Sequence, residues 1–380
     1  MDHSHGPEST ISDEADSLYR PLSGLDRWAA APVDHAAWAE ALERLDTLRR
    51  QDNDWGDMVA RGAMLAAAYQ SGALDGVHPA DPAVAPALVR GQASVASMDP
   101  DVRAHVRANV DALVLARSAA VSEETIRRIH DVACRPQLTH RVLVDGRAQD
   151  HVMAHGDYKH HPNHRLTPAG DWLATAPVAQ VEPEMARLVA LAQSPEFAAL
   201  HPVAQASWLQ HALLHVQPFA DGNGRVARAL GGGCLLRAAS IPLVVFDDHH
   251  DVDVLQAVVR LVDVMEAADP GAVVAWRERS AAADALRRQV MPALERSLRR
   301  PDPARRADVS AATVAADLVV RVPGVEVGEV FLLDAQPLDG GPPTITAREA
   351  GLRLQAGDPI EPWADRIASV LALRVAAEME

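Results

Sequence analysis

Two helix-forming runs, Pro202–Val216 and Gly224–Ala239, meet at the short loop 217–223, and this corner restricts the fold more than any other segment. The loop reads Gln217-Pro218-Phe219-Ala220-Asp221-Gly222-Asn223. Pro218 cannot continue the first helix, because proline lacks an N–H and its ring clashes with the preceding turn. Gly222 and Gly224 let the backbone bend tightly and point consecutive N–H groups into one concavity. That concavity opens at the N-terminus of the second helix, where free amides and the helix dipole favour an anion. Arg225 and Arg228 lie three apart and share one helix face, which suits two-point phosphate binding. A carboxylate at Asp221 beside such a nest makes sense when Mg2+ bridges it to the phosphates. Phe219 is expected to peg the loop to the core.

Elsewhere the chain reads as mainly α, with apolar residues at helical spacing. Helices are expected over Asp34–Leu48, Asp57–Gln70, Asp99–Ser118, Ser122–Cys134, Glu182–Gln193, Asp251–Ala267, Pro270–Ala283 and Leu286–Arg299. Residues 1–25 are polar and expected to be disordered, and 26–118 form an N-terminal helical region. The core spans 119–299, with an irregular stretch at 135–182 in which Arg141–Val144 could enter a hairpin. Ile241–Phe246 reads as extended. Beyond Pro301–Pro303 the pattern turns β-branched at Leu318–Val322 and Glu329–Leu333, before a last helix over Pro362–Glu378. Residues 300–380 therefore read as a small α+β appendage suited to partner binding or to formation of a homo-oligomer.

Net charge of −16 argues against nucleic acid as the main partner, since that binding rests on neutralising phosphates. No stretch approaches the roughly 20 apolar residues of a membrane span. The acidic N-terminus lacks a signal-peptide pattern, and the two cysteines, Cys134 and Cys234, are far apart. A reduced, cytoplasmic protein is the simplest reading. Lys159 is the only lysine.

The run Pro218 to Arg228 resembles the Fic (Fido) family signature, His-Pro-Phe-x-Asp/Glu-Gly-Asn-Gly-Arg-x-x-Arg, with Gln217 in the histidine slot. The resemblance extends over roughly 60–285. Ile129-His130 is similar to the family's apolar-His pair, and Gly156-Asp157-Tyr158-Lys159 to its Gly-x-Tyr-Arg. It implies a helical core with a small β-hairpin flap around His164–Thr175. It also implies transfer of a nucleoside monophosphate, most often AMP from ATP, to a hydroxyl of a protein target. By match, Asp221 would hold Mg2+, and Gly222, Asn223, Gly224, Arg225 and Arg228 the phosphates, with Lys159 near the nucleotide. Ser71-Gly72-Ala73-Leu74-Asp75-Gly76 is similar to the family's inhibitory helix, whose acidic residue pairs with the second arginine. Asp75 is one methylene shorter than the usual glutamate, and Asp75-Gly76 is also ordinary helix-end chemistry.

Glutamine is no base, so Gln217 removes the group that would deprotonate the target hydroxyl. His215 lies about 200° around the helix from it. His155, His160, His161 and His164 are the more mobile alternatives. Three readings stay open: a nucleotidyltransferase weakened at its catalytic position, an inactive nucleotide-binding regulatory module, and a transferase using another donor or acceptor.

Overall fold

The computed structural model describes residues 16–51, 53–144, 147–163, 165–166, 172–245 and 253–268. Beyond these it describes 285–286, 288–290, 292–294, 296–297, 310–314, 317–321, 331–337, 343–347, 352–355 and 357–366. The chain divides into two compact units, Met1–Arg90 with Asp99–Ala268, and Gly91–Met98 with Asp269–Glu380. The first unit thus ends at Ala268, short of the expected core boundary at 299.

The first unit is helical: α1 (His35–Gln51), α2 (Asn53–Leu74), α3 (Val84–Val89), α4 (Pro100–Ser118), α5 (Glu123–Cys134), α6 (Val178–Ala192), α7 (Pro195–Ala198), α8 (Pro202–Val216), α9 (Asn223–Ala239) and α10 (Val254–Glu266). Between α5 and α6 run two antiparallel hairpins, β1 (Thr139–Val144) with β2 (Arg147–Val152), and β3 (Arg165–Leu166) with β4 (Trp172–Leu173). The second hairpin falls where the flap was expected.

Local chemistry sets the helix starts. Ser122 caps α5 by accepting from the Thr125 N–H, and Asp99 caps α4 with Pro100 at its first position. α9 lies at the centre, packed on α8, α4, α5 and α2. A Cβ at Gly233 would meet Ala116 at 2.7 Å, so the small residue lets α9 approach α4. α2 ends at Leu74, and Gly76 follows with φ +70°. Two bonds close that end, Gly76 N–H to Ala73 O at 3.0 Å and Val77 N–H to Gly72 O at 3.1 Å.

Several expectations need correction. α6 starts at Val178 rather than Glu182, leaving Pro183 inside the helix instead of at its first turn. Residues 241–245 of the expected extended run are neither helical nor part of a sheet, and Val245 N–H donates to Gln70 Oε1 at 2.6 Å. Residues 1–15 lie outside the described ones, yet Tyr19, Leu22 and Leu25 of the supposed disordered tail are buried. The Tyr19 hydroxyl and the Leu22 N–H both donate to Glu184 Oε2, at 3.1 and 2.7 Å.

The second unit holds an antiparallel meander of β5 (Ser310–Val314), β6 (Asp317–Arg321), β7 (Phe331–Pro337), β8 (Pro343–Ala347) and β9 (Leu352–Gln355). Its described residues between 285 and 297, and from 360 to 366, are helical, joined by Ser297 Oγ donating to Asp365 Oδ1 at 2.7 Å. The expected helix at 270–283 and most of that at 362–378 lie outside the described residues.

Candidate active site

The loop between α8 and α9 is built from both sides. Gln217 caps α8 in the left-handed conformation, φ 51° and ψ 60°, with its N–H still bonded to Leu213 O at 2.8 Å. Gly222 precedes α9 at φ +74°, and a Cβ there would meet Cys134 Sγ at 2.3 Å. Asn223 turns its side chain back on the loop: Oδ1 accepts from Phe219 N–H at 3.0 Å and Nδ2 donates to Phe219 O at 2.8 Å. Phe219 is fully buried and stacks on His130 at 3.9 Å between centroids and 12° between planes. The expected hydrophobic peg is therefore in place.

His130 pins the loop from α5. Gly156 N–H donates to its Nδ1 at 2.9 Å, so Nε2 carries the proton and donates to Asp221 O at 3.0 Å. Burial holds this imidazole down to about 3, with Arg225 adding to the effect and the Asp221 contact opposing it. Lys159 supports the loop from the other side, its N–H donating to Pro218 O at 2.8 Å. Its Nζ is turned to Asn163 Oδ1 at 2.6 Å and Thr175 Oγ1 at 3.1 Å, and burial lowers it to about 7. Asn163 Nδ2 then donates to Phe219 O at 2.8 Å. The lysine is thus 2% exposed beneath the loop, with its amine directed at these two neighbours.

The two arginines converge on one carboxylate. Asp75 Oδ2 accepts from Arg225 Nε at 2.9 Å and from the Arg225 backbone N–H at 3.3 Å. Asp75 Oδ1 accepts from Arg228 Nη2 at 2.5 Å. Arg228 also donates from Nε to Ser71 Oγ at 3.0 Å and from Nη2 to Ser71 O at 2.8 Å. A Cβ at Gly224 would lie 2.3 Å from Asp75 Oδ1, so the carboxylate rests against the helix start. Burial alone would raise the Asp75 carboxyl, but the charges of Arg228 and Arg225 outweigh it and hold the group below its ordinary value. Behind the arginines, a cavity of about 10 Å³ touched by Ser71, Asn109, Arg225 and Arg228 has room for one water.

Asp221 is half-buried on the lip of the loop, with Oδ1 accepting from Gly222 N–H at 2.7 Å and Oδ2 from Gln137 Nε2 at 2.8 Å. Gln137 Oε1 in turn accepts from Arg225 Nη2 at 2.5 Å. Residues 120–234, which carry α5, both hairpins and the whole loop, match the family model of the Fic/DOC family. This segment is a Fic/DOC domain.

Two curated relatives, each called protein adenylyltransferase Fic, are similar to parts of the chain. The one from Nematostella vectensis is 42% identical over 62 residues, 16% of this chain and 14% of the relative. The one from Culex quinquefasciatus is 39% identical over 51 residues, 13% of this chain and 10% of the relative. The matches thus span a small part of those proteins. Among solved structures, a Fic-domain signalling protein from Bacteroides thetaiotaomicron aligns with 64% of this chain and 97% of its own, at 19% identity and TM-score 0.43. Fic-1 from C. elegans aligns with 63% of this chain and 72% of its own, at 14% identity and TM-score 0.39.

Within the Fic/DOC domain, the structure brings Asp221, Gly222, Gly224, Arg225 and Arg228 to one place, where Ser71 joins them from α2 and Asp75 from the turn just past its end. Of the histidines weighed as substitutes for Gln217, two are engaged by backbone carbonyls and two are exposed. His215 donates to Arg20 O at 2.7 Å, His155 donates to Cys134 O and Gln137 O at 3.0 and 2.9 Å, and His160 and His161 are exposed; His164 lies outside the described residues. Gln137, Asn163 and Thr175 were not singled out from sequence, since they sit in the stretch that lacks any periodicity.

Proposed function

We propose that the Fic/DOC domain is a nucleotidyltransferase site that binds a nucleoside triphosphate at the start of α9, and that Asp75 occupies that place in the resting protein. The observation that carries this reading is the Asp75 carboxylate. It is a protein anion bonded at once to Arg225 Nε, the Arg225 backbone N–H and Arg228. A protein anion held there supports the reading that a phosphate binds at the same place.

Asp221 fits a divalent cation held partly by the ligand. Among the described residues no group of three or more His, Cys, Asp or Glu could hold a metal. Such a site suits Mg2+, which commonly uses one or two carboxylates with phosphates and water completing its shell. When bound, the cation would offset phosphate charge and ease departure of pyrophosphate. Arg225 and Arg228 would orient the phosphates once Asp75 moves aside, and ATP is the donor that the relatives' name, adenylyltransferase, suggests. In the transfer, a hydroxyl oxygen of a protein target attacks the α-phosphorus, the α–β anhydride bond breaks, and pyrophosphate leaves. The hydroxyl proton passes to water, because the Gln217 amide cannot take it. Loss of general-base assistance slows such a step by about 10²–10⁴-fold.

Gln217 also supports a second reading, a nucleotide-binding regulatory module that transfers nothing. Incubation with labelled ATP and Mg2+ separates the two, run on wild type, Asp75→Ala and Asp75→Ala/Gln217→His. Label on the chain or on a target, rising from the first to the third, supports transfer. ATP binding by calorimetry with no label in any of the three would establish the module. Absence of nucleotide binding in all three would overturn both readings.

A further inference from the structure

Gln137 lies just past the end of α5, tied down by its own N–H donating to Cys134 O at 2.8 Å and by its carbonyl accepting from His155. Its side chain makes three contacts: Oε1 with Arg225 Nη2 at 2.5 Å, Nε2 with Asp221 Oδ2 at 2.8 Å, and Nε2 with Thr139 O at 3.1 Å. One amide therefore joins the proposed cation carboxylate to the proposed phosphate arginine. Among side chains of this length an amide, unlike an ionised carboxylate, can accept from a guanidinium and donate to a carboxylate together. Each Asp221 oxygen accepts one N–H, Oδ1 from Gly222 and Oδ2 from Gln137, so a cation approaching Oδ2 meets the amide hydrogen of Gln137.

We propose that Gln137 is a positioning residue that couples the two halves of the site, withholding Asp221 from a free cation until phosphate engages Arg225. In the nucleotide-free protein the Nε2 hydrogen stands where positive charge would otherwise approach Oδ2. When a phosphate draws the Arg225 guanidinium to itself, Oε1 loses its partner and the amide is free to turn away from Asp221. The cation then enters with the nucleotide and not before it. This inference rests on the reading of Asp221 to Arg228 as a metal–nucleotide site.

Mn2+ binding to the full chain, followed by electron paramagnetic resonance with and without ADP, tests the coupling. The Asp75→Ala background keeps the phosphate position open, and Gln137→Glu and Gln137→Met are compared with Gln137. With Gln137, ADP should tighten Mn2+ binding at least tenfold. Gln137→Glu sets a second carboxylate beside Asp221 and cannot donate, so Mn2+ alone should bind about tenfold tighter than with Gln137. Gln137→Met frees Asp221 without adding a ligand, so the gain in Mn2+ binding should be a few-fold and the effect of ADP smaller. A purely structural role would weaken Mn2+ binding in both variants in step with their melting temperatures, and that result overturns the proposal. So does ADP binding that leaves Mn2+ affinity unchanged with Gln137 present. If ADP binds none of the proteins, the functional reading fails, while Mn2+ binding by Gln137→Glu against Gln137→Met still decides whether the amide guards Asp221.

Discussion

Asp75 is bonded to the backbone N–H of Arg225 as well as to its guanidinium, at 3.3 and 2.9 Å. The shorter acid therefore reaches past the second arginine to the helix start itself. An arm that only crowded Arg228 would leave the first turn of α9 open.

Removing this carboxylate should loosen the apo protein and tighten its ligand. Breaking a buried ion pair costs about 3–5 kcal/mol, because the partner charges are left uncompensated. Asp75→Ala should lower the melting temperature without nucleotide, and millimolar ATP with Mg2+ should restore much of the loss. Thermal melts of wild type and variant, with and without ATP, check this. The Asp75 carboxyl is held below its ordinary value, so its contribution is present above that range and is lost only as pH falls below it. The ion pair should be unaffected by pH near neutrality.

A histidine at 217 should restore base assistance in the open site. In the Asp75→Ala background, Gln217→His is expected to raise the rate of labelled-AMP transfer by about 10²–10⁴-fold. The left-handed backbone at 217 admits histidine, which is enriched there among non-glycine residues. Measured ATP affinity should change little, since the change acts on proton transfer.

Lys159 makes stability depend on pH in the alkaline range. Its amine is lowered to about 7 in the fold, whereas the unfolded chain keeps the ordinary value near 10.5. Between these the unfolded state binds more protons, so stability rises with pH, by up to about 1.4 kcal/mol per unit. Lys159→Met should flatten that rise in denaturant-unfolding curves taken from pH 7 to 10.

His130 acts in the opposite range. Its folded value of about 3 lies below the ordinary 6.5, so the unfolded state binds more protons between them and acid destabilises the fold. Nitrogen-15 NMR should show the neutral ring protonated at Nε2 down to the onset of acid unfolding. A His130→Phe variant should lose this acid sensitivity while freeing Asp221 O.

The corner at 217–228 was legible because Pro218, Gly222 and the arginine pair act through local backbone rules, and the helix ends at Val216 and near Asn223 follow from them. Ser71 and Asp75 were legible only through resemblance, since they meet Arg228 across more than 150 positions. Gln137 left no local trace: its partners Asp221 and Arg225 are more than 80 positions away, and amides of its kind are common on surfaces. Lys159 was expected near the nucleotide, a direction that chain order alone does not set; its amine turns to Asn163 and Thr175. Burial of Tyr19 and Leu22 in the stretch expected to be disordered was not legible, because lone apolar residues in a polar stretch show no period and their partner Glu184 is more than 160 positions away.

Asp75 sits between the end of α2 at Leu74 and Gly76, so the carboxylate proposed to hold the anion position stands at a helix terminus. Helix ends open at far lower free energy than helix middles. Releasing Asp75 would take loss of the Gly76–Ala73 and Val77–Gly72 bonds together with its bonds to Arg225 and Arg228. A binding event anywhere along α1 or α2 that tugs on that turn would act as a throttle on the site.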